Sequence, residues 1–350
     1  MIPIPQEYSE KLANFNFIDL FAGIGGFHLA LSSFGAKCVF ASEWDTHAQN
    51  VYRANIGIEL KGDITKIEAE SIPIHNILCG GFPCQAFSIS GKQRGFEDTR
   101  GTLFFDVARI VSYHRPEILL LENVKNFESH NDGQTLKTIC NTLEDLGYNL
   151  FCKVLNASDY GLAQKRERIY FVCFRKDLGI SSFEFPKPPC SQIALKDILL
   201  SDNETNKYVL QRKDIFMNED KEPQKNVFGI YPLKPIRIGS VNKGGQGERI
   251  YHELGHAITL SAYGGGVGAK TGLYKINGVV RKLAPRECAR LQGFPDSFKM
   301  DKSETQSYKQ FGNSVPINVL QYILIEIIKV YGKRQEQINT TRFTHSKERV

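Results

Sequence analysis

The sequence predicts an α/β protein, a doubly wound, mostly parallel sheet with a second, smaller domain rich in β-structure and loops. Three observations carry that reading. Short apolar, strand-like runs alternate with helix-like segments through the first half of the chain. The rhythm stops at Phe185-Pro186-Lys187-Pro188-Pro189, beyond which the sequence is irregular, glycine-rich and basic. Helical character then returns before the C-terminus.

Taken in order, residues 17–21 read as a strand, Gly23-Ile24-Gly25-Gly26 as a turn, and about 27–34 as a helix. Strands follow at 37–41, 74–79, 117–121, 151–157 and 169–174, and helices at 46–55, 102–113 and 135–146. Within the irregular segment 258–263 is a strand candidate, and 283–293 and 315–331 are helical. The expected organisation is therefore 1–190 for the doubly wound domain and 191–284 for a smaller, mostly β and loop domain. Residues 285–332 form return helices packing on the first domain, and the polar, basic tail 333–350 is expected to be disordered.

The 350 residues, 41% apolar and 23% charged, suit a soluble globular protein of one to three domains. Residues 1–11 hold prolines and acids and no apolar run, so no secretory signal is expected. Gln321, Glu326 and Lys329 interrupt the apolar 319–331 segment, so no membrane span is expected either. Eight cysteines in a long, unsecreted chain point to reduced thiols, and no spacing suggests a metal site. Between Lys234 and Lys282 stand eight Lys/Arg against Glu248 and Glu253. That net +6 equals the charge of the whole chain, and such a local field favours a polyanionic partner.

The most informative run is Cys79-Gly80-Gly81-Phe82-Pro83-Cys84-Gln85. Two glycines release an apolar strand, and a proline stiffens the approach to Cys84, which is presented rather than packed as a small core hydrophobe. A thiolate suits conjugate addition to a pyrimidine C6, a step that needs an acid near N3 to hold the developing charge. Glu122 follows an apolar strand and can supply it; a solvated loop acid is the blander alternative. Glycines after the first strand let backbone N–H groups approach a ligand, and Glu43, twenty residues after Gly23, is placed for the hydroxyls of a ribose with Trp44 beside it for an adenine. Arg166 and Arg168 share one strand face and can clamp a phosphate or a base carbonyl, or simply charge an edge.

Six ordered blocks resemble the DNA cytosine-5 methyltransferases: Phe21–Gly26, Gly81–Gln85, Glu122-Asn123-Val124, Gln164–Arg168, Arg281–Pro295 and Gln310–Val315, spanning about 15–331. The resemblance implies a Rossmann-like fold that uses S-adenosylmethionine. It implies Cys84 as nucleophile, Glu122 at N3, Arg168 at the cytosine O2 and Arg166 near phosphate. It assigns Phe21, Ala22, Gly23, Gly25, Glu43, Trp44, Asp63, Ile64, Gly81, Pro83, Leu103, Asn313 and Ser314 to the cofactor pocket. Residues 91–96 resemble a loop that closes over DNA, and Ser88, Ser90, Lys92 and Arg94 are implied DNA contacts. The target cytosine must leave the duplex stack to reach Cys84.

Residues 243–251 and 259–266 resemble the recognition loops of GCGC-specific members, with Gln246, Arg249, Thr259, Tyr263 and Gly266 as implied readers. Double-stranded DNA is thus the expected partner, with no membrane and no metal. A monomer in the bacterial cytoplasm, associated with the nucleoid, is expected. A tRNA cytosine methyltransferase on the same core would lack the basic 191–284 segment. A dinucleotide oxidoreductase has no use for Cys84 with Glu122, and a silent DNA-binding module would not fill every chemical position.

Overall fold

The computed structural model describes residues 1–83, 103–189, 193–218, 223–225, 231–232, 234–263 and 266–347, with side chains to 334. Among them the elements run β1 (Asn16–Leu20), α1 (Gly26–Ser32), β2 (Lys37–Ser42), α2 (Thr46–Ile56), β3 (Ile77–Gly81), α3 (Leu103–His114), β4 (Ile118–Val124), α4 (Gln134–Asp145), β5 (Tyr148–Asn156) and β6 (Glu167–Arg175). Then come α5 (Asp202–Thr205), β7 (Ile215–Met217), β8 (Arg237–Val241), β9 (Arg249–His252), β10 (Leu273–Ile276), β11 (Val279–Arg281), α6 (Pro285–Leu291), α7 (Glu304–Asn313) and α8 (Ile317–Lys347).

The first six strands form one sheet in the order β2-β1-β3-β4-β6-β5. β1 pairs in parallel with both β2 and β3, and β3 with β4, while β6 runs against β4 and β5. Alternate strand residues are buried on both faces, as a sheet covered on two sides requires. Phe17, Cys79, Leu120 and Val172 meet α1 and α8 on one face; Ile18, Leu78, Leu119 and Phe171 meet α3 and α4 on the other. Because the chain leaves β1 in one direction to β2 and returns to its other side at β3, the crevice beyond their C-terminal ends is a topological switch point, where such sheets bind ligands.

Local chemistry fixes the elements around that crevice. Asp45 caps α2 by accepting the His47 and Ala48 N–H groups at 2.9 and 3.2 Å, and Gly57 ends it at φ +79°. Gly80 has no room for a side chain, since a Cβ there would lie 2.5 Å from the Leu20 carbonyl oxygen. Both Gly80 and Gly81 therefore belong to β3, which ends two residues later than 74–79 predicts.

The second sheet, β11-β10-β9-β8-β7, lies wholly within 215–281. Two expectations are corrected here. Residues 258–263 form no strand: Ile258 N–H donates to the Tyr274 hydroxyl, Leu260 N–H to Gln164 Oε1 and Ser261 N–H to the Lys270 carbonyl, so no single partner strand receives them. The tail is not disordered over its first part, because the α8 backbone stays helical to Lys347. A helix the sequence reading missed, α7, carries the Gln310–Ser314 block. Within the described residues, one 31-residue helical stretch, 304–334, is long and apolar enough to cross a membrane by length and composition, but 67% of its apolar window is buried inside the fold, as in a core helix.

Candidate active site

At the crevice, Phe21 and Gly23 turn the chain out of β1 with left-handed φ values of +54° and +53°. The turn is held by Glu43, whose Oε2 accepts the Gly23 N–H at 2.9 Å while Oε1 accepts the Asp45 N–H at 2.9 Å. Burial raises the Glu43 carboxyl above its ordinary range. Each of its oxygens keeps a second lone pair for an outside hydroxyl. Lys61 bridges Ser42 in parallel, which brings Asp63 beside the end of β2. Asp63 itself caps the turn at Ile64 through the Thr65 N–H.

Ala22 and Ile64 are buried, whereas the Trp44 ring is 80% exposed. A Cβ on Gly23 would meet nothing closer than the Phe21 carbonyl at 4.0 Å, so the loop has an open side. An acid with spare acceptors, an open glycine turn and a free indole face fit an adenosyl group. Gly25 also allows close packing: a Cβ there would strike Ile56 of α2 at 2.5 Å.

Three further segments converge one strand away. Gly81 pairs with Glu122, and a Cβ at Gly81 would stand 3.3 Å from Glu122 Oε2, 3.8 Å from Val315 and 3.9 Å from Phe27. Glu122 is buried, and burial raises its carboxyl above the usual range against the pull of Arg168 and then Arg166. Arg168 Nε stands 3.1 Å from Glu122 Oε1, an ion-pair contact without hydrogen-bond geometry, and among the described residues that oxygen has no hydrogen-bond partner. Asn123 donates from Nδ2 to the Phe82 carbonyl at 2.9 Å, fixing the backbone just before the exposed Pro83. Leu103 opens α3. Cys84, Ser88, Ser90, Lys92 and Arg94 lie outside the described residues.

Arg166 departs from the expectation that it faces phosphate. Only 2% exposed, it donates from Nη1 to the Leu260 carbonyl at 3.2 Å and from Nη2 to the Gly312 and Ser314 carbonyls at 3.1 and 2.6 Å. Strand parity gave its face but not what covers that face. Gln164, fully buried, makes a parallel tie: Oε1 accepts the Leu260 N–H and Nε2 donates to the Leu291 carbonyl. A Cβ at Gly312 would lie 2.4 Å from Ala262 N, so the 312–314 turn and the 260–262 loop touch through bare backbone. Ser314 is buried beside Gly26, and Asn313 is exposed at the end of α7.

Gln246 and Arg249, with Lys165, Glu167, Tyr251 and Thr259, line much of a cleft of about 220 Å³. Arg249 Nε is buried with no hydrogen-bond partner among the described residues. Thr259 is spent locally, its hydroxyl donating to the Lys165 carbonyl at 2.6 Å. Tyr263 is exposed, and Gly266, at φ +100°, stands over Gly247. Gly268 N–H donates to the Gly247 carbonyl at 2.8 Å, locking the two loops together. Sequence reasoning missed the brace of the first loop: Glu248 accepts the Gly245 N–H at 2.9 Å and Asn242 Nδ2 at 3.0 Å. The signal was an acid three residues after a cap position.

A doubly wound sheet with an adenosyl-shaped turn at its switch point, a buried acid one strand along and a basic second sheet defines a nucleic-acid methylase. Residues 15–329 match the family model described as C-5 cytosine-specific DNA methylase, and the chain belongs to that family. It is 58% identical over 318 residues to the Type II methyltransferase M.HhaI of Haemophilus parahaemolyticus, covering 91% of this chain and 95% of that protein. The Type II methyltransferase M.HpaII of Haemophilus parainfluenzae is 44% identical over 342 residues, 94% of this chain and 93% of the relative. Among solved structures, the S. pombe Dnmt2 methyltransferase shares the fold at a TM-score of 0.64 and 21% identity, covering 90% of this chain and 98% of its own. The Entamoeba histolytica methyltransferase EhMeth does so at 0.64 and 18%, covering 90% and 97%.

Proposed function

We propose that this cytosine-5 DNA methyltransferase uses S-adenosylmethionine to methylate a cytosine turned out of duplex DNA, within GCGC, through a covalent bond to Cys84. It would do so as a monomer in the bacterial cytoplasm, at the nucleoid, and protect DNA from a partner restriction endonuclease. One observation supports the chemistry above the rest. Glu122, buried and with its carboxyl pushed toward the protonated form, stands beside Gly81, three residues before Cys84.

In this reading the Cys84 thiolate forms a bond to C6, and the C5–C6 π pair becomes available at C5. Glu122 donates a hydrogen bond to N3 as charge builds there, and a carboxyl kept protonated by burial suits that task. Arg168, against Glu122, holds the cytosine O2. S-adenosylmethionine, when bound by Glu43, Trp44 and the Phe21–Gly25 turn, supplies a sulfonium methyl to which C5 is nucleophilic. Loss of the C5 proton to a water molecule then re-forms the C5–C6 double bond and expels Cys84 from C6 as the thiolate that began the cycle. The GCGC reading rests on the likeness of the 243–251 and 259–266 loops to those of GCGC-specific enzymes, with Arg249 placed for a guanine.

One experiment addresses both parts. Duplexes carrying 5-fluorocytosine in varied contexts should trap a covalent complex in the presence of S-adenosylmethionine, because fluorine cannot leave as a proton does. Trapping should occur in GCGC and vanish in Cys84→Ser. An adduct that survives the substitution overturns the nucleophile, and an adduct in other contexts overturns the recognition sequence.

A further inference from the structure

The second sheet carries an exposed aromatic ring that the reading above does not use. Phe216, on the edge strand β7, is 66% exposed. A single surface hydrophobe is ordinary and by itself signals nothing. Its row in the sheet is what matters. Phe216 pairs with Ser240 on β8, and Ser240 pairs with Arg249 on β9, so the three side chains stand in line on one face. Arg237 pairs with Tyr251 and belongs to that face too, exposed to solvent.

The opposite face is the apolar core of this sheet, formed by Ile215, Val241, Ile250 and Leu273. The neighbouring row, which runs from Arg237 through Tyr251 to Tyr274, is anchored at its far end. Tyr251 and Tyr274, ring centroids 6.0 Å apart, sink into the core of the catalytic sheet. The face that docks there at β9 and β10 therefore continues outward through β8 to β7, alongside the cleft that Arg249 lines. The recognition loop leans over the same face: a Cβ at Gly244 would be 3.2 Å from Arg237 Nη2 and 3.4 Å from Ser240 Oγ.

Two strand spacings separate Phe216 from Arg249, about 10 Å. Base pairs rise by about 3.4 Å, so this span is about three steps along a duplex. We propose that Phe216, with Arg237 beside it, contacts duplex DNA outside the recognition sequence, the ring lying on a deoxyribose or thymine methyl and the guanidinium on a neighbouring phosphate. Aromatic rings and T methyl groups pair by apolar contact, and an adjacent arginine supplies the charge attraction that holds the duplex there. The inference rests on the DNA-methylating reading of the same cleft and extends it to flanking sequence.

Two duplexes test it, both centred on the sequence that methylation mapping returns, one ending two pairs beyond it and one ten pairs beyond. Equilibrium binding and methyl incorporation are measured in the same tubes for the full chain, Phe216→Ala and Arg237→Ala. On the long duplex Phe216→Ala should bind about fivefold more weakly than the unaltered chain, and on the short duplex equally well. Arg237→Ala should show the same length dependence and flatten the fall of affinity with salt by about one phosphate. Equal affinity of Phe216→Ala and the unaltered chain on both duplexes, or an equal loss on both, overturns the proposal. If the unaltered chain methylates neither duplex, the parent reading fails instead and takes this one with it.

Discussion

Asp19 sits fully buried on β1, directly beneath the Phe21–Gly25 turn. The Cys79 thiol stands 3.8 Å from Oδ1 and the His28 backbone N–H also donates to the carboxylate, while Oδ2 has no hydrogen-bond partner among the described residues. Burial above all, with a smaller push from the like charge of Glu43, lifts its carboxyl from an ordinary 3.8 to about 8, against hydrogen bonds from the Cys79 thiol and the His28 backbone N–H. In an unfolded chain the same group ionises near pH 4. Between about pH 4 and 8 unfolding therefore releases a proton, and this site's contribution to stability falls as pH rises through that window. Asp19→Asn should flatten the pH dependence of the thermal midpoint over the same range; parallel curves for the two proteins would refute the assignment. The positions of Glu43 and Glu122 at the crevice were legible at this scale, because each comes at or just after the C-terminal end of an apolar strand run. The role of Arg166 was not. Alternation along β6 tells which side a residue takes, while the carbonyls that meet it come from loops about 95 and 150 positions away.

The elements divide the same way. The strand–helix alternation of the first half was readable because each strand is a short apolar run and each connection a turn signal. Residues 258–263 misled because apolar and β-branched side chains suggested a strand, whereas their backbone donors go to scattered side chains and carbonyls. α7 was missed because its surface is polar and only Ser307, Gln310, Phe311 and Gly312 are buried. The junction between β11 and α6 shows what holds such elements in place. Arg281 and Glu287, 1% and 0% exposed, form a two-pronged ion pair at 2.7 and 2.8 Å. Glu287 also accepts the N–H groups of Ala284 and Leu200 at 2.7 and 2.9 Å. Breaking one side of a buried pair leaves an unpaired charge, so Glu287→Ala should cost about 3–5 kcal/mol in chemical denaturation. A loss below about 1 kcal/mol would mean that water reaches the seam.

Across the whole molecule, α7 and the 260–262 loop meet where bare backbone presses on bare backbone, at Gly312 and the Ser261–Ala262 peptide. A methyl group there has no rotamer to yield, and overpacking of this kind costs about 1–3 kcal/mol. Gly312→Ala should lower stability by that amount and also shift the 259–266 loop, so preference for the target over a one-base variant should drop while binding to random duplex holds. Unchanged discrimination would show that α7 and the loop are not coupled through this contact. The Arg166 joint has a different consequence. Every acceptor it grips, at Leu260, Gly312 and Ser314, is a main-chain oxygen. Such a grip is blind to the identity of those three side chains. Side chains at 260, 312 and 314 can change and leave the clasp untouched, so under the reading proposed above a loop of different specificity should graft onto this body provided it keeps the peptide path from 257 to 262.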